Sequence, residues 1–193
     1  MNAGIIGRAR VGKDTAGKWL VDERGYRRVA FADALKEAAL KVDPLIPVHD
    51  GQHWRLANLV KDLGWDYAKD TYNEVRRFLQ ELGSAMRAVD PEIWIRPVLA
   101  KAIEANDAGV PVVVTDVRYP NEVESLRRAG FHLVYIERPG VPQLDHESEN
   151  SLTADNADYT IENLGFIDDL HAKVERFWER VHQHESTRQA LRF

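Results

Sequence analysis

The chain has 193 residues and no cysteine. That excludes a disulfide framework and a thiolate metal centre, and it is compatible with a reducing cytoplasm. No apolar run approaches the ~20 residues of a bilayer-spanning helix. The N-terminus enters an apolar strand pattern almost at once, without the basic and long apolar segments of a signal peptide, so a cytoplasmic location is expected. No basic block stands out and the formal net charge is −5. Neither a nucleic acid nor a membrane surface is therefore expected as a partner. Repeats, low-complexity tracts and linkers are also missing. What is present is ordinary for one globular domain: 44% hydrophobic and 30% charged residues, enough to bury a core unaided.

Against that background one stretch is distinctive, Gly7-Arg8-Ala9-Arg10-Val11-Gly12-Lys13-Asp14-Thr15. It follows the apolar run Ala3–Ile6 and leads into Ala16-Gly17-Lys18-Trp19-Leu20. Strand, glycine-rich turn, helix is the context of a phosphate-binding loop. The glycines let successive N–H groups face one concave spot, and the new helix aims its unpaired N–H groups and dipole there. Lys13 adds a movable cation. The spacing G-x-x-x-x-G-K is complete, but Asp14 stands where Ser or Thr is usual, with Thr15 one step later. The alternative is a plain turn with a solvated lysine.

Further along, strands and helices alternate. Residues 12–23 read as a helix ended by Gly25, Tyr26–Phe31 as a short strand, and Asp33 as the cap of the next helix. Pro44 and Pro47 interrupt the chain, and residues 48–70 read as one or two short helices. Over 71–89, Tyr72, Val75, Leu79, Leu82, Met86 and Val89 form one apolar stripe. Beside it, Arg76, Gln80 and Arg87 fall within roughly 40° on a helical wheel, with Arg77 further round. A helix over 91–107 either kinks at Pro97 or restarts there. Val110–Thr115 is a β-branched run for a strand buried on both faces. Pro120 opens a helix, residues 131–137 form a further strand, and residues 139–157 read as a lid-like loop. A short strand at Tyr159–Ile161 and a helix over 166–182, with Phe166, Leu170, Val174, Phe177 and Val181 on its inner side, complete the pattern, the tail from His184 fraying. This alternation predicts an α/β fold with a parallel sheet and helices on both faces, whose ligands gather at the carboxyl ends of the strands.

Three groups of side chains carry the expected chemistry. The phosphate loop supplies Gly7, Gly12, Lys13 and Thr15. Asp116, at the end of a buried strand, is placed to serve Mg²⁺ directly or through water, or else to cap a helix or pair with Arg118. Arg118 and Glu122 follow it. Arg76, Gln80 and Arg87 line the third group, where phosphoryl transfer between two anionic substrates needs cations; a solvated face is the plainer reading. His49 and His53 lie four apart, but Asp50 and Gly51 between them argue against a helical metal pair, and His146 has no second histidine at ligand spacing.

The order of Gly7–Thr15, Phe31-Ala32-Asp33-Ala34-Leu35-Lys36-Glu37, Arg76-Arg77-Phe78-Leu79-Gln80-Glu81-Leu82-Gly83, Trp94, Asp116-Val117-Arg118-Tyr119-Pro120-Asn121-Glu122, His146-Glu147-Ser148-Glu149 and Ile161-Glu162-Asn163-Leu164-Gly165 resembles the phage-type deoxynucleoside monophosphate kinases, a group of P-loop kinases. The resemblance spans nearly the whole chain and accounts for Asp14, since that family also carries Gly-Lys-Asp-Thr. It implies a three-layer P-loop kinase fold with about five parallel strands in a single domain over residues 1–193. A substrate-covering helical segment would occupy 44–90. It also implies transfer of the ATP γ-phosphoryl group to a deoxynucleoside monophosphate with Mg²⁺, in the host cytoplasm if the chain is phage-encoded.

By the same resemblance Gly7, Arg10, Gly12, Lys13 and Thr15 would hold the ATP phosphates, and Asp14, Thr15 and Asp116 the metal. Lys13, Asp14, Asp116 and Arg118 would be catalytic. Asp33, Arg76, Arg77, Gln80, Trp94, Arg118 and Glu122 would bind the monophosphate. One departure is that residues 139–157 hold no arginine, so Arg138, Arg8 or Arg10 would replace the usual lid arginine. Base preference and a homodimer stay open. The rival readings are a P-loop kinase for another small phosphorylated metabolite and a non-catalytic ATP-binding module; the lack of an Asn-Lys-x-Asp motif speaks against a GTPase switch.

Overall fold

The computed structural model describes residues 1–141 and 151–190. The apolar N-terminal run becomes β1 (Asn2–Ile6), buried throughout, and the glycine-rich turn leads into α1 (Lys13–Arg24). Gly25 closes that helix in the left-handed conformation at φ 68°, as its lack of a side chain permits. Then come β2 (Arg27–Val29), α2 (Phe31–Val42), β3 (Leu45–Pro47), β4 (His53–Arg55), α3 (Leu56–Leu63), α4 (Trp65–Thr71) and α5 (Asn73–Val89). They are followed by α6 (Ile95–Asp107), β5 (Val112–Val117), α7 (Pro120–Arg128), β6 (Phe131–Glu137), β7 (Tyr159–Glu162) and α8 (Ile167–Ala190). Two compact units result, one from residues 1–31 and 98–193, the other from residues 32–97.

The first unit is built on a five-stranded sheet in the order β2-β5-β1-β6-β7, every neighbouring pair parallel. One face buries Ala3, Ile5, Val113, Val134, Ile136 and Ile161 against Leu20 of α1 and Leu170, Val174, Phe177 and Val181 of α8. On the other face Leu133, Val117 and Leu126 of α7 close around Gly4. Helices therefore cover both faces, giving the expected three layers. The β1–β5 register slips between Gly4↔Val114 and Ile6↔Val117, so β5 carries one extra residue beside Asp116. Such a bulge re-aims a side chain near a strand end.

The second unit packs the remainder of α2 with α3, α4, α5 and an antiparallel β3–β4 hairpin. Its core holds Ala39, Ile46, Leu56, Leu59, Ala68, Val75 and Leu79. The hairpin is not foreseen by the sequence pattern: its strands are three residues long and include Pro47, which a two-stranded edge tolerates.

Four expectations are corrected. Asp33 does not cap α2, because the helix already starts at Phe31 and Asp33 lies inside its first turn. The stripe on α5 does not reach its end, Val89 being 83% exposed. Phe166 precedes α8 and is 85% exposed rather than inward. α8 runs on through His184 to Ala190 instead of fraying. Pro97 sits in the first turn of α6, where no intrahelical N–H is required. Of the lid-like segment, residues 142–150, with His146, lie outside the described residues. Among the described residues no helix is long and apolar enough to cross a membrane.

Candidate active site

β1 ends at Ile6, level with Val117 of β5, so the loop after β1 and Asp116 sit at the same end of the sheet. Gly7 has φ 151°, and a Cβ there would lie 2.4 Å from the Ile136 carbonyl oxygen of β6. Only glycine lets the backbone pass that close. Arg10 takes φ 64° and Gly12 φ 108°, curling the loop before α1. A Cβ on Gly12 would stand 2.8 Å from Asn163 Nδ2 and 3.0 Å from Leu170 Cδ2. The loop is thus seated against β6 at one end and against the chain after β7 at the other.

Lys13 opens α1 and is 8% exposed. Its Nζ donates to the Arg8 carbonyl at 2.5 Å. A cation this buried needs oxygen partners, and here the lysine folds back over the loop. Asp14 is exposed and Thr15 half-buried on the first turn of the helix. Arg10 points outward, whereas Arg8 is half-buried. A small cavity beside the loop is walled by Gly7 and Arg8, by Val117 and Arg118 at the end of β5, and by Tyr135 of β6. Two arginines and the loop backbone therefore meet around one hollow.

Asp116 Oδ1 accepts the Phe31 N–H at 2.9 Å. It performs the capping task expected of Asp33, from 85 residues away in sequence. Glu122 is 2% exposed, and its Oε2 accepts the N–H groups of Arg118 at 2.8 Å and Tyr119 at 3.1 Å. This carboxylate satisfies orphan donors at the start of α7 and fixes the backbone that carries Arg118.

The remaining expected residues belong to the second unit. Arg76 is exposed and pairs with Asp70 at 2.8 Å. Arg77 is held by Glu74 and Glu81, both at 2.5 Å. The Arg77 guanidinium holds the Glu74 carboxyl below the usual carboxylate range. Gln80 is exposed, and Trp94 is buried with its Nε1–H donating to the Gly83 carbonyl at 3.2 Å. Asp33 is half-buried in α2.

Among the described residues no group of three or more His, Cys, Asp or Glu could hold a metal by itself. Asp14, Thr15 and Asp116 are hard oxygen donors. They fit Mg²⁺, which takes one or two carboxylates and completes its shell with water and substrate phosphates.

One contact lies outside the sequence expectations. Asn163 is 4% exposed, and its Nδ2 donates to the Val11 carbonyl at 2.8 Å. The sequence offers a faint signal for it, an amide placed directly after the last strand at the ligand end of the sheet.

The family model for deoxynucleotide monophosphate kinase matches residues 49–174. That span includes Asp116, Arg118, Glu122 and Asn163 but starts after the phosphate loop. A putative deoxynucleotide monophosphate kinase of Acanthamoeba polyphaga mimivirus is 25% identical over 186 residues, 89% of this chain and 92% of that protein. The deoxynucleotide monophosphate kinase of Escherichia phage RB69 is 28% identical over 111 residues, 55% of this chain and 45% of its own length. The uncharacterized protein ORF77 of Ictalurid herpesvirus 1 is 38% identical over 82 residues, 40% of this chain and 36% of that protein. The chain thus spans less than half the length of these last two relatives. Among solved structures, dephospho-CoA kinase from Campylobacter jejuni superposes with a TM-score of 0.51 at 12% identity, covering 95% of this chain and 98% of that one; that likeness concerns the fold. With the matched model covering well over half the residues, the chain belongs to the deoxynucleotide monophosphate kinase family.

Proposed function

We propose that the protein is a deoxynucleoside monophosphate kinase that transfers the γ-phosphoryl group of ATP to a dNMP, giving dNDP and ADP. The family match over residues 49–174 carries this reading, and the seating of Gly7–Lys13 supports it independently. An acceptor phosphate oxygen attacks the γ-phosphorus in line, the bond to the bridging oxygen breaks, and ADP leaves without a covalent enzyme intermediate. The reaction is mostly positioning and charge stabilisation. Backbone N–H groups of the loop, with Gly7, Gly12 and Thr15, hold the ATP phosphates. Lys13 leaves the Arg8 carbonyl for the outer phosphate oxygens and balances charge that builds there.

Asp14, Thr15 and Asp116 are the residues that would hold Mg²⁺, which would supply positive charge against the phosphates. Arg118 and Arg8, which share one hollow, bind the acceptor phosphate, and Glu122 steadies the Arg118 backbone. Arg8 thereby takes the place of an arginine that residues 139–157 do not supply. In the second unit we assign Arg76, Gln80, Asp33 and Trp94 to the acceptor, and give Arg77 a lesser share because both of its carboxylate partners already engage it.

ADP release, measured with a coupled assay over deoxy- and ribonucleoside monophosphates, tests this. Turnover should require a dNMP, and folded Lys13→Ala should lose it. ATP binding without acceptor-dependent turnover would instead make the chain a nucleotide-binding module. Turnover with a phosphorylated metabolite alone would make it a kinase of another class.

A further inference from the structure

Asn163 is buried where charge and polarity are costly, and it spends its amide on one loop carbonyl. Its backbone N–H donates to the Glu137 carbonyl at 2.7 Å, tying it to the end of β6. Its side chain then reaches 152 residues back in sequence to Val11. Gly12 lies so close to the same Nδ2 that a Cβ would collide with it. The amide group and the glycine are therefore fitted to one another.

A trans peptide is planar, with its C=O and the following N–H pointing in opposite directions. Holding the Val11 carbonyl toward Asn163 consequently turns the Gly12 N–H away from Asn163. If the Val11–Gly12 peptide flipped, a donor of the loop would be replaced by a carbonyl oxygen, which repels phosphate. Gly12, with its positive φ, has the backbone freedom to make such a flip.

We propose that Asn163 is a positioning residue for the phosphate loop, its carboxamide locking the Val11–Gly12 peptide in the donor-out orientation that receives the triphosphate. The inference rests on the reading of Gly7–Thr15 as an ATP-phosphate loop. Asn163 touches no substrate; it acts through one peptide plane.

The test measures binding of a fluorescent ATP analogue and steady-state dNMP kinase kinetics for wild type, Asn163→Leu and Leu170→Ala. Leu170 also packs on Gly12 but offers no hydrogen bond, so its variant reports what loosened packing alone does. Asn163→Leu should weaken nucleotide binding and raise KM for ATP by about tenfold, the worth of one such hydrogen bond, with KM for the acceptor changed by no more than about twofold. Leu170→Ala should lower Tm and leave KM for ATP unchanged.

Unchanged ATP binding in Asn163→Leu, or an equal loss in both variants, overturns the proposal. If wild type binds ATP but shows no dNMP-dependent turnover, the kinase reading fails and the binding data alone judge Asn163. Should Asn163→Leu not fold, NMR of the wild type decides: the Asn163 side-chain NH₂ should be protected from exchange and should shift on adding ATP. A freely exchanging, unshifted NH₂ overturns the proposal.

Discussion

Gly17 lies in the interior of α1, where alanine would ordinarily stabilise the helix by about 1 kcal/mol. The structure reverses that expectation. A Cβ on Gly17 would stand 2.4 Å from Thr115 Cγ2 and 3.6 Å from Thr115 Cβ. Ordinary carbon contacts are about 3.5–4.0 Å, so helix and strand must part by roughly 1 Å. Thr115 cannot swing aside cheaply, since its methyl is one bond from Cβ on a buried strand and its rotamer is restricted. Overpacking of this kind costs about 1–3 kcal/mol.

Set against the propensity gain, Gly17→Ala should lose about 1 kcal/mol, within a range of about 0–2, and lower Tm by roughly 2–4 °C for a chain of this size. Because α1 begins with Lys13-Asp14-Thr15, the same displacement should reduce kcat. Thr115→Ser removes the offending methyl and alone costs about 1 kcal/mol as a small cavity. In the double variant the methyl introduced at position 17 takes that space, so Tm should return to the wild-type value or above, a coupling of about 2 kcal/mol. Thermal and urea unfolding of the four proteins measure the cycle. A higher Tm for Gly17→Ala alone, or strict additivity in the double variant, would refute the packing argument.

Glu122→Ala should cost about 1–2 kcal/mol by releasing the orphan donors at the start of α7, and should raise KM for the acceptor more than for ATP through Arg118. Glu122→Gln keeps an acceptor oxygen and should recover most of both losses in urea unfolding and steady-state kinetics. Burial holds the Tyr26 phenol well above its ordinary range, weakly opposed by the Trp178 indole, and among the described residues its hydroxyl has no partner of good hydrogen-bond geometry. The fold thus keeps a proton that the unfolded chain gives up near pH 10. Stability from this group is full below about pH 10 and falls as the pH rises beyond it. Tyr26→Phe should flatten that alkaline loss and cost no more than about 1 kcal/mol at neutral pH, which denaturant melts from about pH 8 to 11 would show; an unchanged alkaline slope counts against it.

What the sequence makes legible here is what depends on neighbours along the chain. The β-branched run Val110–Thr115 becomes β5 and residues 131–137 become β6, Gly25 closes α1, and the glycine spacing of the loop translates into two positions where backbone geometry or a close neighbour demands glycine. Features that depend on distant partners are opaque. Asp33 resembles the cap of α2 because it stands before an apolar run, yet the cap is Asp116, delivered from a bulged strand that no local pattern announces. Asn163 gains its role only when β7 sets it beside a loop at the other end of the chain.

Arg77 is the instructive intermediate case. Glu74 and Glu81 lie three residues before and four after it, the spacing at which helical side chains meet. Its engagement is therefore written locally, and apolar periodicity alone cannot reveal it. A site residue read from one helix face should be weighed against the opposite charges one turn away on that same helix.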